Sequence, residues 1–233
     1  MVSWCEMKML IALLMLAALR AEDVPVLTSV YSSKDLPLTA DAKAKHWREI
    51  KGITTESDFS GQAVPGHRTE VRSRWTNTHL YLLYVNRYDA ITLTPNPVGS
   101  GETPKLWDWD VSEAFIGSDF AKITRYKEFQ VSPRGEYIDL DIDRGNPQSE
   151  GAGWNSGFEV KARIDEANKT WYGEMKIPFS AIDTRSPAVS NELRVGLFRI
   201  EGAAPKRTYV SWRSTNGKSF HVPEQFGTLR LVK

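Results

Sequence analysis

The sequence predicts an all-β chain: an antiparallel β-sandwich of jelly-roll type with one short helix near its start. Three observations carry this expectation. Short segments of alternating polarity recur between Gly, Pro, Asn and Asp. Helix signals nearly vanish beyond residue 50. The 233 residues, 41% of them hydrophobic and 25% charged, suffice for one domain with a sizeable core.

Taken in order, Met9 to Leu19 is an apolar run behind Lys8, long enough for the core of a signal peptide and short of the ~20 residues that span a bilayer. Residues 1–21 are therefore expected to be a signal peptide cut near Ala21, although Leu19 stands where a second small residue would be ideal. Glu6 is unusual ahead of such a run, which suggests a start at Met7 and the loss of Cys5, the single cysteine. The mature chain then has no disulfide, no cysteine-rich metal site and no membrane anchor. Residues 22–36 read as an extended segment ahead of a domain covering 37–233. Thr39 to Ile50 has the composition of a short helix capped by Thr39.

Strands are expected near Thr69–Trp75, Leu80–Arg87, Val111–Gly117, Arg125–Ser132, Glu136–Asp143, Phe158–Ile164, Thr170–Ile177, Arg194–Glu201, Tyr209–Arg213 and Gly227–Val232. Long loops are expected at Thr92–Leu106 and Arg144–Trp154, and such loops on a rigid sheet commonly carry binding residues.

Charge narrows the function classes. Thirty basic against 29 acidic residues give a formal charge of +1. Removing the first 21 residues makes the chain neutral, so no field steers it onto nucleic acid or an anionic membrane. The aromatic content points elsewhere. Trp107-Asp108-Trp109-Asp110-Val111-Ser112-Glu113 packs aromatic and acidic residues where a loop enters a strand. If Ser112, Ala114 and Ile116 face the core, the two-residue period turns Glu113 and Phe115 to the opposite face. A flat indole offers an apolar plane to a sugar ring, while carboxylates accept bonds from its hydroxyls. The polar loop from Asn216 to Gly227, with Phe220 at its tip, is the candidate second wall.

Asp139, Asp141, Asp143 and Glu150 stand at positions 1, 3, 5 and 12 of a calcium-loop spacing, but Arg144 occupies the glycine position, and Leu140 and Ile142 alternate as on a half-buried strand. A solvated strand face is the simpler reading. For catalysis, Asp110, Glu113 and Glu128 are the carboxylates that a glycosidase would pair. His46, His67, His79 and His221 show no ligand spacing, and neither a nucleophile elbow nor a phosphate-binding glycine loop is present. Asn168-Lys-Thr170 is a glycosylation sequon.

Several segments, in order, resemble carbohydrate-binding module family 9, the β-sandwich modules attached to xylanases and found alone in exported bacterial proteins. They are Trp47, Leu80–Tyr84, Trp107-x-x-Asp110-x-x-Glu113-x-Phe115-Ile116, Tyr126-x-x-Phe129, Trp171-x-x-Glu174-x-x-Ile177-Pro178-Phe179, Gly196 and Phe198 beside Arg199, and Phe220-His221-x-Pro223-x-x-Phe226-Gly227. The resemblance implies a non-catalytic module that clamps a sugar between two aromatic side chains, here Trp107 and Phe220, with Glu113 holding hydroxyls. Phe220 stands where the family has a second tryptophan. Glu128, Gln130 and Asn216 are candidate polar contacts by location. No cofactor is required, a structural calcium fits the family's acidic loops, and the expected partners are a glycan or oligosaccharide and a glycosidase, in a secreted setting. Two alternatives remain open: a haem-binding electron-transfer domain of the same superfamily, for which Met175 is the available interior methionine, and a glycoside hydrolase.

Overall fold

Alternation is cleanest in the segment Thr69–Trp75, where Thr69, Val71, Ser73 and Trp75 are buried and the residues between them are not. This is the two-residue period of a strand with one covered face. The computed structural model describes residues 24–146, 151, 153–217 and 219–233, and the expected signal peptide lies outside them. In chain order the strands are β1 (Val26–Tyr31), β2 (Ile53–Thr55), β3 (Thr69–Trp75), β4 (His79–Arg87), β5 (Val111–Gly117), β6 (Arg125–Val131), β7 (Tyr137–Asp143), β8 (Glu159–Asp165), β9 (Thr170–Pro178), β10 (Glu192–Glu201), β11 (Thr208–Ser211) and β12 (Gly227–Val232). A single turn of helix, α1 (Phe179–Ile182), follows β9.

These strands form one sheet in the order β7-β6-β5-β10-β12-β1-β3-β4-β9-β8, with β11 on β10 and β2 on β3. The all-β expectation holds, whereas the wholly antiparallel one does not. β1 runs parallel to both neighbours, pairing Leu27 with Leu229 of β12 and Ser29 with Ser73 of β3. Residues 26–31, within the extended segment expected ahead of residue 37, are thus part of the sheet. Its insertion is held by burial of Leu27 and by a hydroxyl contact between Ser29 and Ser73 (2.8 Å).

The sheet curls so that β6 packs across β8 and β9. Between them lies the main core, including Leu80, Leu82, Ala114, Ile116, Phe129, Met175, Val195 and Leu229. Met175 packs in this core, as its alternation with Ile177 suggests.

Strand β4 is buried on both faces. Leu80, Leu82 and Tyr84 point into the main core, while Tyr81 and Leu83 join Trp47 in a second cluster on the outside. That is why Leu80–Tyr84 reads as a continuous apolar run rather than an alternation.

The expected helix over Thr39–Ile50 does not form; the segment is a string of turns. Side chains of the sheet take its backbone groups instead. Glu174 Oε2 accepts the amides of Thr39 and Ala40 (both 2.6 Å), and Glu174 Oε1 accepts the Trp47 indole N–H (2.7 Å). Arg72 donates to the carbonyls of Ala42 and Trp47, and Arg74 to that of His46. These bonds to distant strands fix the segment as successive turns, and the local propensity is overridden.

Candidate functional site

The outer face of β5, β6, β7 and β10 carries a third cluster. Val111, Phe115, Tyr126, Ile138, Ile142, Phe198, Ile200, Phe220 and Phe226 pack there. Strand period decides who belongs to it. Ala114 and Ile116 face the main core, so Glu113 and Phe115 turn outward, as the sequence predicts. On β6 the same parity exposes Tyr126, Glu128 and Gln130 to this face. Gly196 on β10 sits opposite Phe115 and makes room for the rings: a Cβ there would lie 2.5 Å from the Phe198 ring and 3.0 Å from that of Phe226.

A cavity of about 580 Å³ opens on this face. Its walls bring together Trp107, Glu113, Glu128 and Phe220 from the sequence-predicted set. Phe59, Tyr209, His221 and Arg144 also line it; sequence reasoning did not assign them to the site. Phe59 comes from the loop after β2, whose carbonyl accepts the amides of Thr215 (2.8 Å) and Gly217 (3.1 Å), tying two distant loops together. Phe59 and Tyr209 meet edge to face at 5.1 Å.

Trp107 is presented by one turn of 3-10 helix, Leu106–Asp108, with Leu106 buried beneath it. Asp108 accepts Arg207 (3.0 Å), which anchors the turn. Phe220 is placed differently from expectation. One of its faces is stacked on Phe198 (4.2 Å between centroids, 14° between planes), so this ring contributes to the cavity while already serving as packing.

The remaining candidates divide plainly. Gln130 lies directly opposite Glu113 in the β5–β6 register, and its side-chain amide donates to Glu128 Oε1. Asn216 occupies an exposed turn with φ 59° and does not line the cavity; its amide is held by Ser214 Oγ. Trp109 is not a lining residue either. Asp110, offered as a catalytic carboxylate, is a loop pin: its oxygens accept the amides of Gly202 (2.6 Å) and Thr92 (3.1 Å), and burial raises its pKa to about 6.

The calcium-loop aspartates do not converge. Asp139 accepts the Ser156 amide (2.9 Å), Asp141 pairs with Lys127 (2.7 Å) and Asp143 with Arg125 (3.6 Å). Asp139 is buried while Asp141 and Asp143 are half-buried, so this strand face is solvated only toward its C-terminal end. Glu150 lies outside the described residues, among which no three His, Cys, Asp or Glu side chains are grouped to hold a metal ion. The four histidines are scattered as expected, and only His221 reaches the cavity.

Burial sets the charge of the site. Desolvation, reinforced by the neighbouring Glu128, holds Glu113 well above the usual carboxylate range. Desolvation, with Arg144 adding to it, lowers His221 to about 4. Its Nδ1 shares a hydrogen bond with the Tyr126 hydroxyl (2.7 Å). At neutral pH the cavity therefore presents a neutral imidazole beside a Glu113 biased toward its protonated form.

The raised carboxyl has a stability consequence. The folded state keeps a proton that the unfolded chain releases above its ordinary value of 4.5, so this contribution is present below that pH and is lost as pH rises. Glu113→Gln is expected to melt higher than the parent at pH 7 and to match it near pH 4. A variant that melts lower at pH 7 would count against the assignment.

Comparison with known proteins rests on this geometry. The family described as "Carbohydrate family 9 binding domain-like" matches residues 40–233. The chain belongs to that family. Endo-1,4-beta-xylanase A of Thermotoga neapolitana is 24% identical over 216 residues, which are 92% of this chain and 18% of the xylanase. This family 9 domain therefore spans less than a fifth of that relative. A family 9 carbohydrate binding module from Caldicellulosiruptor kristjanssonii, solved with cellotriose, has a TM-score of 0.66 at 14% identity, covering 89% of this chain and 94% of that one. A candidate carbohydrate-binding protein from Bacteroides uniformis gives 0.71 at 14% identity, covering 90% and 100%. These likenesses establish the fold. Among the described residues no helix is long and apolar enough to cross a membrane.

Proposed function

We propose that this family 9 domain is a non-catalytic carbohydrate-binding module, exported from the cell, that holds one sugar ring in the cavity and serves extracellular glycan breakdown beside a partner glycosidase. The observation that carries the reading is the cavity itself. A half-buried indole, three acidic side chains and further aromatic edges converge in about 580 Å³, in a chain of this family. In this reading Trp107 supplies the flat apolar wall, with Phe59, Tyr209 and the partly committed Phe220 opposing it. The protonated Glu113 donates to a ring oxygen or hydroxyl, and Glu128 accepts from another.

No chemical step is needed for such a role. One or two small rings bury little area, so affinities on the order of micromolar to millimolar are expected. A structural calcium ion belongs to the same proposal, without ligands assigned to it.

The test is titration of intrinsic tryptophan fluorescence on the chain from Glu22 onward, with glucose, cellobiose, cellotriose, xylose and xylobiose. A saturable change is expected, weakened about tenfold or more in Trp107→Ala, on the order of 1.4 kcal/mol. A flat response to every sugar overturns the reading. The pairing of Glu113 with Glu128 also favours a second reading, hydrolysis by an acid and a base. Release of reducing sugar from xylan or cellulose, abolished by Glu113→Gln, would establish that one instead.

A further inference from the structure

Resting on the reading that this cavity takes a sugar, we propose that His221 is one of its recognition residues, with Nε2–H donating to a sugar oxygen, and that Tyr126 is the positioning residue that fixes the imidazole in that tautomer.

Contacts from three residues hold His221. Its ring lies over that of Phe115 (5.0 Å between centroids, 31° between planes), and Phe115 stacks in turn on Tyr126 (5.5 Å, 20°). Ser219 Oγ accepts the His221 amide (3.0 Å), and the Tyr126 hydroxyl meets Nδ1 at 2.7 Å. The two nitrogens of an imidazole point away from each other. With Nδ1 turned to Tyr126 on β6, Nε2 is the nitrogen left for a ligand. It has no partner among the described residues and is not enclosed, and His221 lines the cavity.

The direction of the Tyr126 bond decides what Nε2 offers. Tyr126 is 2% exposed, and its hydroxyl has no other hydrogen-bond partner among the described residues. If the imidazole donated, the phenolic proton would be stranded in a nearly closed site, which costs more than a single hydrogen bond contributes. The hydroxyl therefore donates to Nδ1. A neutral imidazole carries one N–H, which then sits on Nε2. Desolvation holds the pKa of the ring at about 4, so it stays neutral around pH 7. Nε2 is thus a fixed donor, complementary to the lone pairs of a ring oxygen or hydroxyl. Consecutive residues of one loop supply an apolar wall, Phe220, and a polar contact, His221.

Two measurements on the chain from Glu22 onward test this. In the isotope-labelled protein at pH 7, long-range proton–nitrogen correlation spectra are expected to place the His221 proton on Nε2, and the Nδ1 resonance is expected to move in Tyr126→Phe, which removes its donor. A proton on Nδ1 of the parent, or an Nδ1 resonance indifferent to Tyr126→Phe, overturns the positioning role. The second measurement is calorimetric titration with glucose, cellobiose and cellotriose. Asparagine keeps a partner for Tyr126 but ends short of Nε2, whereas glutamine brings an amide N–H near it. His221→Asn is expected to weaken binding about five- to tenfold, and His221→Gln less than about threefold. Unchanged affinity in His221→Asn overturns the recognition role and leaves the sugar-binding reading standing. Equal losses in the two variants overturn the assignment to Nε2. Failure of all three sugars to bind the parent overturns the sugar-binding reading and the recognition role with it, while the spectra still decide the tautomer.

Discussion

Glu174→Ala is expected to cost about 3–5 kcal/mol of folding stability, read as a shift of the urea midpoint. Glu174 is fully buried on β9, and its two oxygens accept the amides of Thr39 and Ala40 and the Trp47 indole N–H. Alanine would leave two buried donors and one part-buried donor without this acceptor and open a space beneath Trp47, itself fully buried against Tyr81 and Leu83. Stranding buried donors costs far more than a single exposed hydrogen bond contributes. Glu174→Gln keeps one carbonyl oxygen but turns an amide toward the other donors, so it should lose about half as much. A midpoint for Glu174→Ala within about 1 kcal/mol of the parent would mean that the turns over residues 39–50 are held by Arg72 and Arg74 instead.

Acid should loosen the protein through His221. The folded imidazole titrates near 4 against an ordinary 6.5, chiefly because it is desolvated and secondarily because Arg144 is near. The unfolded chain thus binds a proton that the folded protein refuses between those values. Stability from this group is complete above pH 6.5 and is lost as pH falls toward 4, by roughly 3 kcal/mol. Glu113 acts with the opposite sign, losing stability as pH rises, so the two residues lower stability on opposite sides of an intermediate pH. His221→Asn removes the titration while leaving Nδ1's place to an amide that can still meet the Tyr126 hydroxyl. Because Glu113 titrates in both proteins, their difference is the readout: the variant's stability should gain on the parent's by roughly 2 kcal/mol between pH 6.5 and 4.5. Parallel curves for the two proteins would show that other groups govern the acid response.

Much of this molecule is legible before any folding is considered. The ten predicted strands coincide with observed ones within a few residues, because apolar and polar residues alternate wherever one face of a strand is covered. The same period turned Glu113 away from the core, and the aromatic density around Trp107 marked the rim of the cavity. Two misreadings are instructive. Thr39–Ile50 has helical composition, yet Glu174, more than 120 positions away, claims its amides. Asp110 stands beside the site in sequence but points its carboxylate at Gly202 and Thr92.

What the sequence by itself determined is therefore local: the strand segments, the side to which each residue turns, and the family to which their order belongs. Tertiary structure alone decided the parallel seat of β1 between β12 and β3, the meeting of Phe59, Tyr209 and Phe220 at one cavity, and the exclusion of Asn216 from it. Periodicity is a property of neighbours in the chain, enforced by backbone geometry residue by residue. A cavity is a property of residues up to about 160 positions apart, brought together only when the curled sheet buries its apolar faces.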